Sequence, residues 1–238
     1  MVNVFAPVDK IHQSLHAFHV VADERGDIVP SVHYCACNLT GDHFQCLIYD
    51  SDRADAKLIG VEYMISESKF LALPEDEKKY WHSHVHEVMN GTLALIGLRA
   101  GVVAESAAAA VKTAEDAVKA VAGDGATGGA VPDAAELAVL AKVKKLYGKA
   151  IHTWHPPTSD VPLGPPRLMM PIDPKYDGVP SKQIEARDKL YGVNTELKRK
   201  QRQEKLTESY VPNDAADQYL RTGKVLQFTA EERPVRPA

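Results

Sequence analysis

The stretch LHAFHVVADERGDIVPSVHYCACN, residues 15–38, contains two β-prone runs on either side of a turn. Leu15–Ala22 and Ile28–Asn38 are rich in β-branched and aromatic residues, which favour strands. Between them, Asp23–Asp27 supplies residues that are typical of a tight connection. The stretch therefore predicts a β-hairpin, because strands joined by so short a connection pair antiparallel.

Two more strands are predicted directly afterwards, at Phe44–Tyr49 and Leu58–Ile65. The segments that separate them are short and polar, as hairpin connections usually are. We therefore expect the N-terminal third to form an antiparallel sheet of hairpin-connected strands.

Helices are predicted for the middle of the chain. A helix that begins at Pro74 explains the apolar spacing up to Val88, although a helix ending near Trp81 followed by a strand at 82–88 is the competing interpretation. Residues 104–132 are rich in alanine and glycine and predict a peripheral helical insertion with a flexible break. A further helix is predicted at Asp133–Tyr147, where apolar residues recur at helical spacing.

The C-terminal third combines an extended segment with a helical tail. Prolines in Ile151–Met170 predict an edge strand or a wrapping loop. Lys182–Leu190 predicts a helix, and the charged run Glu196–Lys205, which lacks an apolar stripe, predicts a solvated helix face. The expected fold class is α+β, with one domain over residues 1–212 and an extended tail at 213–238.

The composition predicts an intracellular globular protein. The 238 residues suffice for a sizeable core, and a net charge of −4 offers no cationic surface for nucleic acid. Neither a signal peptide nor an apolar run long enough to cross a membrane is readable. We expect a cytoplasmic location, and the sequence is compatible with a homo-oligomer.

Three ionisable residues lie inside the apolar strand runs: His19, His33 and Glu62. Where water is excluded, such groups must be paired, hydrogen-bonded or neutralised, and they concentrate at functional sites. His19 and His33 belong to one hairpin and could face each other across it. The alternative is that each points outward from the solvated face of the sheet.

The segment WHSHVHE, Trp81–Glu87, is the densest histidine cluster. In a strand, His82, His84 and His86 would share one face and could bind a metal; in a helix, His82 and His86 would lie one turn apart. A surface patch near a helix end is the alternative.

Two further sets of residues could bind a metal or a ligand. Cys35, Cys37 and Cys46 could supply thiolates to zinc, but Cys-x-Cys on a strand is a weak signal, and buried free cysteines explain the pattern better. His152 and Arg167, in the proline-rich segment, are candidates for ligand binding together with His82, because conformationally fixed loops often border pockets. For Arg167, a salt bridge to the body of the protein is the alternative.

Several motifs, in consistent order along the chain, resemble those of the oil body-associated protein family. They are QCLIYDSD (Gln45–Asp52), LIGVEYMIS (Leu58–Ser66), LPEDEKKYWHSH (Leu73–His84), YGK and HTW (Tyr147–Trp154), PLGPPRLMM (Pro162–Met170) and RDKLYGVNTE (Arg187–Glu196). The similarity covers most of residues 14–200. This family tends to carry an aromatic residue at the position of His86, so the resemblance makes His84 the better ligand candidate. Plant members are linked to seed lipid droplets, which implies an association with neutral lipid without supplying a mechanism.

Three functions remain open at this point. The first, which the resemblance favours, is a non-enzymatic one: binding of an apolar small molecule or peripheral contact with a lipid-droplet surface. The second is a mononuclear metal-binding protein or metal-dependent enzyme, with one divalent transition metal on His19, His33 and His84 and with Glu62 as ligand or general base. The third is a metal-free enzyme in which Glu62 and a histidine act as base and acid.

Overall fold

The computed structural model describes residues 5–37, 41–99, 131–172 and 178–235. Within these residues the chain forms eight strands. They are β1 (Gln13–Val21), β2 (Glu24–Cys37), β3 (His43–Tyr49), β4 (Leu58–Ser66), β5 (His82–Ser83), β6 (Ala94–Leu98), β7 (Leu146–His152) and β8 (Arg167–Pro171).

Six of these strands close an antiparallel barrel in the order β1-β2-β3-β4-β7-β8, because β8 pairs back onto β1. The short strands β5 and β6 extend it, β5 alongside β7 and β6 alongside β1. The strands predicted in the N-terminal third are confirmed, as is the pairing of the first two across the turn at residues 22–23. The sheet differs from the expectation in closing on itself.

Seven α-helices are described around the barrel. They are α1 (Ala6–Asp9), α2 (Glu67–Leu71), α3 (Val85–Met89), α4 (Asp133–Val143), α5 (Ser181–Tyr191), α6 (Thr195–Lys205) and α7 (Tyr219–Thr222), and a 3-10 turn lies at Lys78–Tyr80. The molecule is therefore mixed α+β. The helix predicted at Lys182–Leu190 is confirmed as α5, which ends where Gly192 adopts a φ of 63°, a conformation that favours glycine.

Two predicted helices were wrong in part. The continuous helix from Pro74 to Val88 does not form, since β5 interrupts it and α3 begins only at Val85. The helix predicted to run to Tyr147 ends at Val143, and Leu146 already belongs to β7. In both places a strand begins where a helix was expected to continue, because the pairing of β5 and of β7 with the sheet outweighs local preference.

The proline-rich segment Ile151–Met170 is neither an edge strand nor a loop throughout. Its first residues complete β7 and its last ones form β8, and both strands pair on two sides within the barrel. The prolines lie in the connection at 153–166 and at Pro171, which is the last residue of β8. Prolines therefore interrupt the segment without excluding the strands at its ends.

The charged helix α6 is only in part the solvated face that its sequence predicted. Arg199, Lys200 and Lys205 are exposed. Lys198 and Arg202, in contrast, are buried, and both donate to the buried carboxylate of Glu136 on α4, across distances of 2.6 and 3.1 Å. Two cations of α6 thus bind a partner helix, which composition alone does not reveal.

The expectation of free buried cysteines was also wrong for two of the three. Cys35 on β2 and Cys46 on β3 are directly opposite in the strand register, with Cα atoms 4.1 Å apart, and form a disulfide. Cys37 is not part of a disulfide and is half-buried. Whether Cys35 and Cys46 can form a disulfide depends on the register between β2 and β3, which cannot be read from the sequence.

Most of the predicted insertion at 104–132 lies outside the described residues. None of the helices within the described ranges combines the length and the apolar character needed to cross a bilayer. Residues after 212 pack against the barrel in places: Ala216 and Tyr219 are buried.

Candidate metal centre

Six of the seven predicted site residues meet in one buried cluster. We call it the histidine cluster; its members are His19, His33, Glu62, His82, His84 and His152, each at most 4% exposed. The seventh, Arg167, lies apart at the surface, where its side chain is 44% exposed and pairs with Glu24 at 3.2 Å. The five histidines of the cluster are therefore buried, and the alternative of outward-pointing, solvated side chains does not describe them.

Strand alternation and register place the cluster. His33 on β2, Ile48 on β3, Gly60 on β4 and His152 on β7 are successive partners across the sheet. Glu62 lies two residues beyond Gly60, so its side chain points to the same side. β5 and the residue after it, His84, then bring two more imidazoles to this carboxylate.

Two glycines make room for the cluster. A Cβ atom at Gly60 would lie 2.9 Å from the Cα and Cδ2 atoms of His152. A Cβ atom at Gly148 would collide with Oε1 of Glu62 and would lie 2.6 Å from Nε2 of His82 and 2.8 Å from Cε1 of His84. Any side chain at Gly148 would thus occupy the space between the carboxylate and its two imidazoles.

Glu62 is the centre of the cluster. Its Oε1 atom lies 3.2 Å from Nε2 of His82 and 3.4 Å from Nε2 of His84. Its Oε2 atom lies 3.4 Å from Nε2 of His33. Within the described part of the chain, Glu62 Oε1 and His33 Nε2 are buried and have no hydrogen-bond partner. These atoms therefore converge without satisfying one another.

The imidazoles of His33 and His152 lie next to that of His19. Its Nδ1 atom lies 3.0 Å from Nε2 of His152, and its ring centroid lies 4.9 Å from that of His33 in an edge-on arrangement. Possible ligand atoms of His19, His33 and Glu62 lie within 4.8 Å of one another, and the same holds for Glu62, His82 and His84. The predicted ligands His19, His33 and His84 are thus distributed over two triads that share Glu62.

Burial keeps three of the imidazoles neutral. It lowers the pKa of His19 well below the ordinary value, lowers that of His33, and lowers that of His152 to about 3. Neutral imidazole carries a lone pair, which a metal ion requires of its ligands.

The two sides of the contact between His84 and Glu62 favour opposite charges. Burial opposes a charged imidazole at His84, but its interactions with Glu62 raise its pKa to about 9. Burial also opposes ionisation of Glu62, yet His82, His84 and His33 together hold its pKa well below the usual range. A cation is therefore favoured in the space between the two side chains, and either a proton or a metal ion could supply it.

The outer contacts of the cluster fix the orientation of its members. Nδ1 of His84 donates to the backbone oxygen of Leu146 at 3.0 Å, so that Nε2 faces Glu62. This is the arrangement common among metal-binding histidines, in which the second ring nitrogen donates to a carbonyl. Asp217 accepts from the backbone nitrogen and the hydroxyl of Ser83, between His82 and His84, and so anchors β5.

A small cavity of about 130 Å³ opens beside the cluster. His152 and Met169 belong to its lining, as do Trp154, His155, Thr158 and Arg167. Of the residues predicted to bind a ligand, His152 and Arg167 thus border one cavity, whereas His82 lies inside the cluster. The cavity connects one side of the cluster with the surface.

Sequence reasoning missed Glu87 and the two glycines. Glu87 on α3 is buried, burial raises its pKa to about 7, and its Oε1 atom lies 3.7 Å from Nε2 of His84. The spacing of His84 and Glu87, three residues apart, is a signal that could have drawn attention to it. Gly60 and Gly148 carried no local signal, because the reason for each is a side chain on another strand.

The chain matches known families over most of its length. Residues 5–206 match the family described as protein of unknown function (DUF1264). The oil body-associated protein 1A of Zea mays is 37% identical over 199 residues, which cover 83% of this chain and 69% of that protein. The oil body-associated protein 1B of Arabidopsis thaliana is 36% identical over 203 residues, covering 84% of this chain and 69% of its own length. No solved structure matches the chain. By its match to the family and its identity to these relatives, the chain belongs to DUF1264, the family of the oil body-associated proteins.

Proposed function

We propose that the protein binds a divalent transition-metal ion between Glu62, His82 and His84. The observation that carries this proposal is the spacing of the three ligand atoms. Two ligands on one tetrahedral metal, with bonds of about 2.0–2.1 Å, lie about 3.3 Å apart. The distances from Glu62 Oε1 to the two Nε2 atoms are 3.2 and 3.4 Å.

Hydrogen bonds between a cationic nitrogen and a carboxylate are usually shorter than these contacts, about 2.7–2.9 Å. In this protein the buried pair of Lys198 and Glu136 measures 2.6 Å, although Arg202 and Glu136 lie 3.1 Å apart. The distances from Glu62 to its imidazoles match those between neighbouring ligands on one metal ion.

A metal-free acid–base enzyme fits the geometry less well. A general base works best when its pKa lies near the working pH. The neighbouring imidazoles hold the pKa of Glu62 well below its usual range, which makes it a weak base. A metal-bound water, in contrast, would supply hydroxide near neutral pH.

Metal analysis of the purified protein tests the proposal. After reconstitution with zinc and removal of excess metal, we expect at least one equivalent of zinc by plasma mass spectrometry. Metal should raise the unfolding temperature over that of chelator-treated protein by roughly 5–10 °C. The matched variants are His84→Ala, which should lose this effect, and His86→Ala, which should keep it because the side chain of His86 is exposed. Less than a tenth of an equivalent in the folded wild-type protein would refute the proposal.

We propose, second, that the protein contacts the surface of oil bodies peripherally. The names of the relatives support an oil-body link, and the outer face of the barrel supplies a suitable surface. A groove of about 350 Å³ lies on this face; its lining includes Tyr34, Leu47, Val61 and Tyr63 together with the polar Gln45. Beside them, Phe5 and Val8 are 70% and 53% exposed. An exposed apolar patch of this kind marks an interaction surface.

Flotation of the protein with triacylglycerol droplets coated with phosphatidylcholine tests this second proposal. We expect wild-type protein to float with the droplets, and the double variant Val8→Asp, Tyr63→Asp to float at least fivefold less. Leu190→Asp is the matched control, since Leu190 is 66% exposed on α5, outside the lining of the groove. Wild-type protein that stays in the aqueous layer would contradict the proposal.

A further inference from the structure

We propose that the barrel holds two metal ions and that Glu62 bridges them. The first ion is the one proposed above, on His82 and His84, and the inference rests on that proposal. The second ion takes its other ligands from the opposite side of the carboxylate; they are His19 and His33.

The two oxygen atoms of Glu62 face different imidazoles. Oε1 faces Nε2 of His82 and of His84, whereas Oε2 faces Nε2 of His33 at 3.4 Å. A carboxylate that served one ion would direct its free oxygen at hydrogen-bond donors or solvent. Here the second oxygen meets another buried imidazole at the distance of two ligands on a shared ion, about 3.3 Å. The geometry is that of a bridging carboxylate.

His152 supports the second site from outside its ligand set. Its Nε2 atom and Nδ1 of His19 lie 3.0 Å apart, at hydrogen-bonding distance, so His152 orients the imidazole of His19. His19, His33 and Glu62 form a triad of possible ligands that lie within 4.8 Å of one another. Imidazole nitrogens and a carboxylate oxygen suit first-row transition metals such as zinc, iron and manganese.

The charges around the cluster are consistent with two ions close together. Paired metal ions in proteins usually lie about 3.5–4 Å apart and need anionic groups to offset their repulsion. Glu62 supplies one negative charge between them, and the buried carboxyl group of Glu87 lies beside His84. The cavity beside His152 gives the second ion access to water or a small anion, which would offset the remaining charge.

The number of metal ions bound per chain tests the inference. Metal-free protein is titrated with cobalt(II), desalted and measured for metal and protein content. We expect two equivalents in the wild type, and one in His19→Ala and in His33→Ala. The matched control is His155→Ala, which should keep two, because His155 lines the same cavity but pairs with Asp27. Circular dichroism of each variant shows whether the barrel has folded.

Electron paramagnetic resonance separates a bridged pair from two isolated ions. The cobalt signal should grow with the first equivalent and fall as the second binds, because a shared carboxylate couples the two ions. One equivalent in wild type, unchanged in His19→Ala and His33→Ala, would overturn the second ion and leave the first. No binding at all would overturn both proposals. Two equivalents with additive, uncoupled signals would overturn the bridge.

Discussion

Two buried glutamates of this protein are surrounded by cations in different ways. Glu136, between α4 and α6, accepts from Lys198 at 2.6 Å, from Arg202 at 3.1 Å and from the backbone nitrogen of Leu95 at 3.3 Å. Glu62, inside the barrel, faces the imidazoles of His82, His84 and His33 at distances of 3.2–3.4 Å. Permanently charged partners at hydrogen-bonding distance make Glu136 a structural brace, whereas titratable partners at longer distance leave Glu62 available for a ligand.

The largest expected effect comes from removing the charge of Glu62. Glu62→Gln should weaken metal binding at least 1,000-fold, about 4 kcal/mol, because a neutral amide is a poor ligand and cannot bridge. Isothermal titration of metal-free protein with zinc measures this. Glu136→Gln is the matched variant and should bind zinc as wild type does. Equal losses in the two variants would show that the two glutamates do not differ as described.

Removing the cation of the brace should instead lower stability. Arg202→Ala removes one of the two buried cations that neutralise Glu136. Because the buried carboxylate is then only partly compensated, the free energy of unfolding should fall by about 3 kcal/mol. Urea unfolding of chelator-treated protein gives this value. Arg199→Ala, on the same helix but with a side chain that is 46% exposed, should change it by less than about 0.5 kcal/mol. A loss in zinc affinity for Arg202→Ala would link two regions that we describe as separate.

A single methyl group should disturb the histidine cluster without changing any ligand. Gly148→Ala places a Cβ atom against Glu62, His82 and His84. We expect zinc affinity to fall by about 10- to 100-fold, the range seen when groups that support metal ligands are altered. Gly26→Ala is the control, because nothing lies within 4 Å of a Cβ atom there. Unchanged affinity in a folded Gly148→Ala protein would contradict the crowding of this space.

The smallest effect concerns Asp133, which pairs with Lys198 at the exposed side of the contact between α4 and α6. A hydrogen bond from Lys198 lowers the pKa of Asp133 below its ordinary value of 3.8. The ion pair of Asp133 therefore stabilises the fold fully at pH values above the ordinary pKa of 3.8, and this stabilisation is lost as the pH falls through the lowered pKa. Because the side chain of Asp133 is 52% exposed, the contribution should stay below about 1 kcal/mol. Unfolding free energies between pH 5 and pH 3 should fall less steeply in Asp133→Asn, and Glu204→Gln should follow the wild type.

The strands β1–β4 and the members of the histidine cluster could be predicted because their signals are local. His19, His33 and Glu62 stand out as ionisable residues within apolar runs, whatever the runs pair with. The strand β5 appeared only in the competing interpretation of a strand at 82–88, since its two residues carry too little pattern to outweigh the helical spacing from Tyr80 to Val88. Strand β7 was hidden for a similar reason, and its two neighbours in the barrel come from distant parts of the sequence.

Contacts that depend on register were beyond the reach of the sequence. The disulfide of Cys35 and Cys46 requires that the two residues be opposite each other across β2 and β3. The role of Gly148 requires that Glu62 lie across from it on β4. Both follow from the alignment of one strand against another, which a linear pattern leaves open.

Closure of the barrel between β1 and β8 has a consequence for biogenesis. During synthesis the first hairpin emerges long before β8, so β1 presents an unpaired edge until about 150 further residues have been made. Pairings between such distant segments slow folding, because the intervening loop must be ordered first. That edge of β1 should therefore stay open to unwanted pairing until β8 docks.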